Sequence, residues 1–213
     1  MMDKSACKIK YSICVSGAAS GPTVKKAASL AADTGEAIAL ADMILTTGAT
    51  VGLPYFAAKA AHDAGGMSIG FSPASSLREH VRKYHLPHDV FTFVNFTGLH
   101  YVGRDMYLVQ SSDAIITVGG RFGSLHEFTS ALEAHKPCGV LLGTGGTADL
   151  IPELMKILPP PAHDLVVYDA NPEKLVNKLI AVLDEKYADI HKHLEQYDDD
   201  WFMRKGDWSN HAG

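Results

Sequence analysis

The chain has 213 residues, of which 46% are hydrophobic and 20% charged, and its formal net charge at pH 7 is -5. This length suits one well-packed domain and is short for two. An acidic chain lacks the clustered Lys and Arg that a nucleic acid demands, so we exclude nucleic acid as the main partner. Small anionic ligands are not excluded, because they need only a local positive potential.

Seven short apolar segments, rich in β-branched residues and bounded by Gly, Pro or Asp, are predicted to be buried strands. They lie at 11–17, 43–48, 67–73, 90–95, 114–120, 138–143 and 165–170. Helical spacing is found between and after them, at 23–40, 54–64, 99–112, 124–135 and 171–194. The alternation predicts an α/β fold, an open and mostly parallel sheet of about seven strands with helices on both faces.

We predict a single nucleotide-binding domain over residues 1–195 and an acidic, aromatic tail over 196–213. The tail contains Trp201, Phe202 and Trp208 beside an acidic cluster. It is either a disordered appendage or an arm that packs on a partner subunit.

The cysteines Cys7, Cys14 and Cys138 are far apart and lack metal-site spacing, and their low, odd number suggests a reducing compartment. No segment is apolar over enough residues to span a bilayer. We therefore expect a cytoplasmic protein without membrane contact, metal or cofactor.

The segment 78–88 carries His80, His85 and His88. Their spacing fits neither a helical pair of metal ligands nor a zinc finger. We interpret this segment as a solvated basic helix.

Three loops of small residues follow the first, second and fifth predicted strands. In an open parallel sheet, ligands bind beyond the carboxyl ends of the strands, where such loops lie. The candidate binding residues are Gly17 and Ala18 in the first loop, Gly48, Ala49 and Thr50 in the second, and Gly119, Gly120, Arg121, Phe122, Gly123 and Ser124 in the third.

The third loop gives the sharpest signal. Missing Cβ atoms let the backbone approach a phosphate, and the free N–H groups of the following helix face it. The structural alternative is a tight strand-to-helix connection in which Ser124 and Glu127 form a capping box. Glu127 could also be held there by the helix dipole alone, and Arg104 could be a solvated surface charge. Three such loops on one sheet edge favour a phosphate-bearing nucleotide.

The segment from Gly103 to Glu127 resembles the Lonely Guy (LOG) family. The signature of that family is a Pro-Gly-Gly-x-Gly-Thr-x-x-Glu turn, preceded by a helix that carries an Arg and ends in Ser-Asp-Ala. Here the helix has Arg104 and ends in Ser112-Asp113-Ala114, with matching spacing into the turn. The resemblance covers residues 10–190, and Leu142-Gly143-Thr144-Gly145-Gly146 is similar to the molybdenum-cofactor carrier proteins that share the fold.

The resemblance implies a Rossmann-like homodimer that hydrolyses the N-glycosidic bond of AMP-like nucleoside 5′-monophosphates to free base and ribose 5-phosphate. It implies that Arg104 and Glu127 are the catalytic pair and that Gly120, Gly123 and Ser124 hold the 5′-phosphate. A carboxylate near the ribose can stabilise an oxocarbenium-like state or activate water. Lysine decarboxylation, an old label of this family, is excluded because no lysine is marked for a pyridoxal cofactor.

Three positions depart from the family pattern. Gly119-Gly120-Arg121 stands for Pro-Gly-Gly, Ser124 for Thr, and Arg104-Asp105 for Arg-Lys. Arg121 either supplies the lost positive charge or fills the ligand space. The leading hypothesis is a nucleoside 5′-monophosphate phosphoribohydrolase. The alternative is a non-catalytic nucleotide sensor or a carrier of the molybdenum cofactor, a phosphorylated pterin.

Overall fold

The computed structural model describes residues 10–158 and 163–196, and its seven strands form one sheet in which every pairing is parallel. This confirms the predicted fold class. The strands are β1 (Ser12–Gly17), β2 (Ile44–Thr47), β3 (Ser68–Ser72), β4 (Phe93–Phe96), β5 (Ala114–Val118), β6 (Cys138–Leu141) and β7 (Val166–Asp169).

Eight α-helices are found in the described residues, and none is long and apolar enough to cross a membrane. They are α1 (Pro22–Leu40), α2 (Leu53–Asp63), α3 (Leu77–Arg82), α4 (His100–Gln110), α5 (Phe122–Glu133), α6 (Thr147–Ile157), α7 (Pro172–Lys186) and α8 (Ala188–Gln196). The helix predicted over 171–194 is thus two helices, which separate at Tyr187. The tail at 197–213, with its three aromatic residues, lies outside the described residues.

The strand order is β4-β3-β2-β1-β5-β6-β7. The chain builds the sheet in one direction from β1 to β4 and then crosses back to place β5 on the other side of β1. Gly17 pairs in register with Val118, so β1 and β5 end at the same level. Such a reversal opens a crevice between the loops that leave the two strands, which is where ligands bind in open α/β sheets. We call it the β1/β5 crevice.

Two hydrophobic cores cover the two faces of the sheet. Neighbouring residues of a strand point to opposite faces. Ile13 therefore packs in the core under α1, α2 and α7, whereas Cys14 packs in the core under α4, α5 and α6. Phe128 of α5 is fully buried in the second core and fixes the helix that approaches the β1/β5 crevice.

The histidine segment differs from its prediction as a solvated helix. Ser76 is the N-cap residue of α3, and its hydroxyl accepts a hydrogen bond from the Glu79 N–H. The side chain of His80 turns inward and is fully buried, whereas His85 and His88 are exposed. One face of this short helix therefore packs against the protein interior. The spacing of the histidines alone does not predict this burial. Among residues 10–158 and 163–196, no group of three or more His, Cys, Asp or Glu is placed to hold a metal ion.

Candidate functional site

A pocket of about 340 Å³ occupies the β1/β5 crevice. Its walls come from the loop after β1, the loop after β2, the first two turns of α4 and the start of α5. The lining residues are Val15, Ser16, Gly17, Ala18, Ala19, Ser20, Gly48, Thr50, Pro54, Tyr101, Arg104, Asp105, Arg121, Phe122, Gly123, Ser124 and Glu127.

All but three of the residues predicted for the site line this pocket. Ala49 does not, because it is fully buried, and its Cβ lies against Gly70 of β3. Gly119 and Gly120 do not line it either, and their carbonyl groups accept hydrogen bonds from the N–H groups at the start of α6, at 2.8 and 3.3 Å. These two glycines tie the turn to α6.

The turn after β5 needs glycine for its geometry. Gly119 and Gly120 have φ of 57° and 103°, in the left-handed region. The Gly119 N–H donates to Thr144 Oγ1 at 2.8 Å. A Cβ at Gly120 would lie 2.7 Å from the hydroxyl oxygen of Ser124. The turn thus reaches α5 with Ser124 packed closely against it.

The first turn of α5 opens onto the pocket. Arg121 is the N-cap residue, and its side chain makes no capping hydrogen bond, so Ser124 and Glu127 do not form a capping box. The first N–H groups of a helix have no intrahelical partner, and they attract anions. A Cβ built on Gly123 meets no atom within 4 Å. The space in front of this helix end can therefore admit a phosphate.

Glu127 lies at the floor of the pocket, where three elements meet. One carboxylate oxygen accepts a hydrogen bond from the hydroxyl of Ser16 on β1. The other lies 3.4 Å from Nη1 of Arg104 on α4. Arg104 and Glu127 are only 5% and 7% exposed, so neither is a solvated surface charge.

Gly48 makes room for the Arg104 guanidinium, because a Cβ there would lie 1.9 Å from Nη1. Both ionic contacts of Nη1, to Asp105 and to Glu127, are long at 3.4 Å. The Nε atom of Arg104 is buried and has no hydrogen-bond partner among the described residues. Since buried polar groups are normally paired, this guanidinium has bonding capacity left for a ligand.

Burial, helped by the Asp105 carboxylate, raises the pKa of Glu127 from 4.5 to about 7, although Arg104 and the Ser16 hydroxyl act against the rise. A carboxyl group with a pKa near 7 can take up and release protons at neutral pH, as general acid–base catalysis requires. Burial also raises the pKa of the Cys14 thiol, which therefore stays protonated and unreactive at neutral pH.

Sequence reasoning missed Tyr101, Asp105 and the contact of Ser16 with Glu127. Tyr101 lies one helical turn before Arg104, lines the pocket and is 47% exposed, and Phe122, which also lines the pocket, is 86% exposed. Spacing of three residues places Tyr101 and Arg104 on one helix face, a signal that was readable in the sequence. Asp105 is 7% exposed, and its burial depends on how α4 packs against α5.

The model of the SLOG cluster4 family matches residues 10–176. The molybdenum cofactor binding protein from the phototrophic bacterium Rippkaea orientalis is 25% identical, with a TM-score of 0.66, over 83% of this chain and 99% of that chain. The Moco carrier protein from Chlamydomonas reinhardtii is 26% identical, with a TM-score of 0.69, over the same shares. DNA processing protein A from Helicobacter pylori, 16% identical with a TM-score of 0.55 over 80% of each chain, shares the fold. The search of curated proteins gave no match.

Proposed function

The chain belongs to the SLOG cluster4 family, and from this premise we propose that it hydrolyses the N-glycosidic bond of a nucleoside 5′-monophosphate bound in the β1/β5 crevice. The observation that supports this most is the buried carboxylate of Glu127, held by Ser16 and Arg104 at the floor of the pocket. A site that only binds an anionic ligand gains nothing from a carboxylate such as Glu127, because its negative charge repels the ligand. Cleavage of a glycosidic bond uses that charge, because the ribose becomes positive in the transition state.

The 5′-phosphate binds at the start of α5 in this proposal. Gly123 leaves open space there, and Ser124 adds a hydroxyl donor. Arg121 is exposed at the rim and leaves the 340 Å³ pocket open. This position favours the interpretation in which Arg121 clamps the phosphate over the one in which it plugs the site.

The reaction places the ribose over Glu127 and Arg104. The bond between C1′ and the base nitrogen breaks, and its electron pair leaves with the base, which is then protonated from solvent. Water attacks C1′, and Glu127 accepts the proton of that water. Arg104, which lines the pocket, orients the carboxylate and donates an N–H to a ribose oxygen.

Binding and transport of the molybdenum cofactor is the second candidate. It is supported by the identity of 25–26% to proteins described as binding or carrying that cofactor. Arg121 and Asp105, which replace a glycine and a lysine of the LOG pattern, favour it as well. A phosphorylated pterin would use the same anion site at α5 without chemistry at Glu127.

The proposal includes a homodimer in the cytoplasm. The outer face of α4 carries exposed apolar side chains, Val102 at 72%, Met106 at 42% and Tyr107 at 55%. A second copy of the chain would cover this stripe beside the pocket. Val102→Glu should then convert the dimer to a monomer, as measured by light scattering after size-exclusion chromatography.

The first experiment is incubation of the purified protein with a panel of nucleoside 5′-monophosphates and detection of free base by chromatography. Glu127→Gln should lower base release by about 1,000-fold, because it removes the charge without changing shape, while AMP binding persists. Glu133→Gln is the matched control, since Glu133 is an exposed residue of the same helix. Full activity of Glu127→Gln would disprove the mechanism. Nucleotide binding without base release would favour the carrier.

A further inference from the structure

Two carboxylates share one guanidinium in the β1/β5 crevice. Asp105 Oδ1 and Glu127 Oε1 each lie 3.4 Å from Nη1 of Arg104. The side chains of Asp105 and Glu127 are only 10% and 9% exposed. One positive charge therefore faces two buried carboxylates. The repulsion between them is relieved when one of the two carboxyl groups is protonated.

His126 connects this pair to the solvent. Its Nδ1 lies 3.2 Å from Asp105 Oδ2, on the side of Asp105 that faces away from Arg104 Nη1. Its side chain is 41% exposed. Glu127 and Asp105 thus meet at Arg104, and Asp105 in turn contacts the partly exposed His126.

The other groups that face Glu127 from the described elements neither take up nor release protons at neutral pH. Ser16 donates its hydroxyl hydrogen to the Glu127 carboxylate. The pKa of the Cys14 thiol is raised by burial, so it stays protonated. The guanidinium of Arg104 has hydrogen-bond donors and no acceptor, so it cannot receive a proton from Glu127. Asp105, which meets Glu127 at Nη1 of Arg104, is the remaining neighbour that can accept a proton from Glu127, and its negative charge favours the protonated form of Glu127.

We propose that Asp105 and His126 form a proton path that returns Glu127 to its reactive carboxylate after each turnover. Asp105 accepts the proton of Glu127 and passes it to Nδ1 of His126, which releases a proton to water. The proton that enters is the one Glu127 takes from the attacking water, so the protein neither gains nor loses protons over a cycle. This route through Asp105 and His126 rests on the proposed hydrolysis, whereas the pairing of Asp105 with Glu127 does not.

The pairing is tested without turnover, by infrared titration of the Glu127 carboxyl group in the nucleotide-free protein, with Glu127→Gln to assign the band. Asp105→Asn keeps the shape and an oxygen for Arg104 but removes the negative charge and the proton acceptor. The midpoint of the Glu127 titration should fall by about one pH unit or more. An unchanged midpoint would overturn the inference, even in a protein that releases base.

The path is tested with His126→Gln, a substitution at a half-exposed position that the fold tolerates. Base release should slow by about 10-fold or more, and imidazole in the buffer should restore it by replacing the lost proton carrier. His62→Gln, an exposed histidine of α2, should leave the rate unchanged and unaffected by imidazole. Slowing without rescue would rule out the path. The two proposals can also fail separately. If the midpoint of the Glu127 titration falls in Asp105→Asn but the protein releases base from no nucleotide, the pairing of Asp105 with Glu127 is supported and the proposed hydrolysis is rejected.

Discussion

The cluster beneath α3 and the cluster in the β1/β5 crevice both bury titratable side chains, but they differ in how those side chains are satisfied. His80 is fully buried, with Nδ1 2.8 Å from Ser72 Oγ and Nε2 2.9 Å from the carbonyl oxygen of Pro87. The ring of Phe96 packs edge-on against it, with centroids 5.9 Å apart. Every polar atom of this imidazole has a partner, so its burial stabilises the fold.

The crevice cluster consists of Ser16, Arg104, Asp105 and Glu127. Its ionic contacts are long at 3.4 Å, and Arg104 Nε has no partner in the described part of the chain. Burial raises the pKa of Glu127, so ionisation of this group opposes folding. Groups kept in such an environment are typical of functional sites. Incomplete pairing, and not burial of polar groups as such, therefore distinguishes the candidate site from the cluster beneath α3.

The largest effect on stability should come from breaking the satisfied cluster. His80→Ala leaves Ser72 and the Pro87 carbonyl without their partner and opens a cavity, so we expect a loss of about 3 kcal/mol in the free energy of unfolding. Urea denaturation measures it. His88→Ala, at an exposed position, should change stability by less than about 0.5 kcal/mol. Nucleotide binding should persist in both variants, and a loss of binding in folded His80→Ala would contradict the separation of the two clusters.

Gly48→Ala should do the opposite and damage the site while sparing the fold. The new Cβ would lie 1.9 Å from Arg104 Nη1, the end of a flexible side chain that can swing aside. Displacement of the guanidinium by about 1 Å should lower base release about 100-fold. Unfolding should shift by less than about 1 kcal/mol.

Gly123→Ala is the companion variant to Gly48→Ala. Its Cβ meets no atom within 4 Å, and alanine is favoured over glycine in a helix, so this change should weaken phosphate binding while stability stays the same or rises by up to about 1 kcal/mol. Calorimetric titration with AMP and urea denaturation measure the two quantities. Gly48→Ala with normal activity would mean that Arg104 can act from another position.

The sequence predicted the fold, and most of its candidate site residues line one pocket, because both outcomes depend on local patterns. Short apolar runs between Gly, Pro and Asp identified the seven strands, and Asn171 before Pro172 identified the start of α7. That start is observed, with the Asn171 side chain accepting a hydrogen bond from the Lys174 N–H at 2.9 Å. Loops after parallel strands meet at one sheet edge, which is why most predicted binding residues line one pocket.

The rest depends on contacts between elements that no local pattern records. Gly119 and Gly120 match a ligand-binding turn, but the start of α6 takes their carbonyl groups. In the sequence, Asp105 is noticed only because it replaces a lysine of the family pattern. The packing of α4 on α5 shows that its carboxylate contacts both Arg104 and His126. The inward rotation of His80 likewise depends on the position of Ser72 on β3.

The pH dependence of stability should also separate the clusters. The pKa of Glu127 is raised from 4.5 to about 7 in the folded protein, so its stabilising contribution is complete below pH 4.5 and is lost as the pH rises through 7. Glu127→Gln carries no charge, so its stability relative to the natural protein should improve by about 2 kcal/mol between pH 5 and pH 8. Denaturation of both proteins at the two pH values measures this. Glu133→Gln should show no such trend, and a flat difference for Glu127→Gln would mean that Glu127 is ionised throughout.

The smallest effect concerns how helices begin in the two regions. Ser76 and Asn171 cap α3 and α7 with their side chains, whereas Arg121 at the pocket leaves the start of α5 uncapped. Arg121 has extended backbone angles, which suit a capping serine. Arg121→Ser should therefore stabilise the ligand-free protein by about 0.5–1 kcal/mol, measured by urea denaturation. The same change should weaken AMP binding, because it removes a cation from the phosphate and fills the anion site with a hydroxyl. Stabilisation together with tighter binding would instead identify Arg121 as a plug.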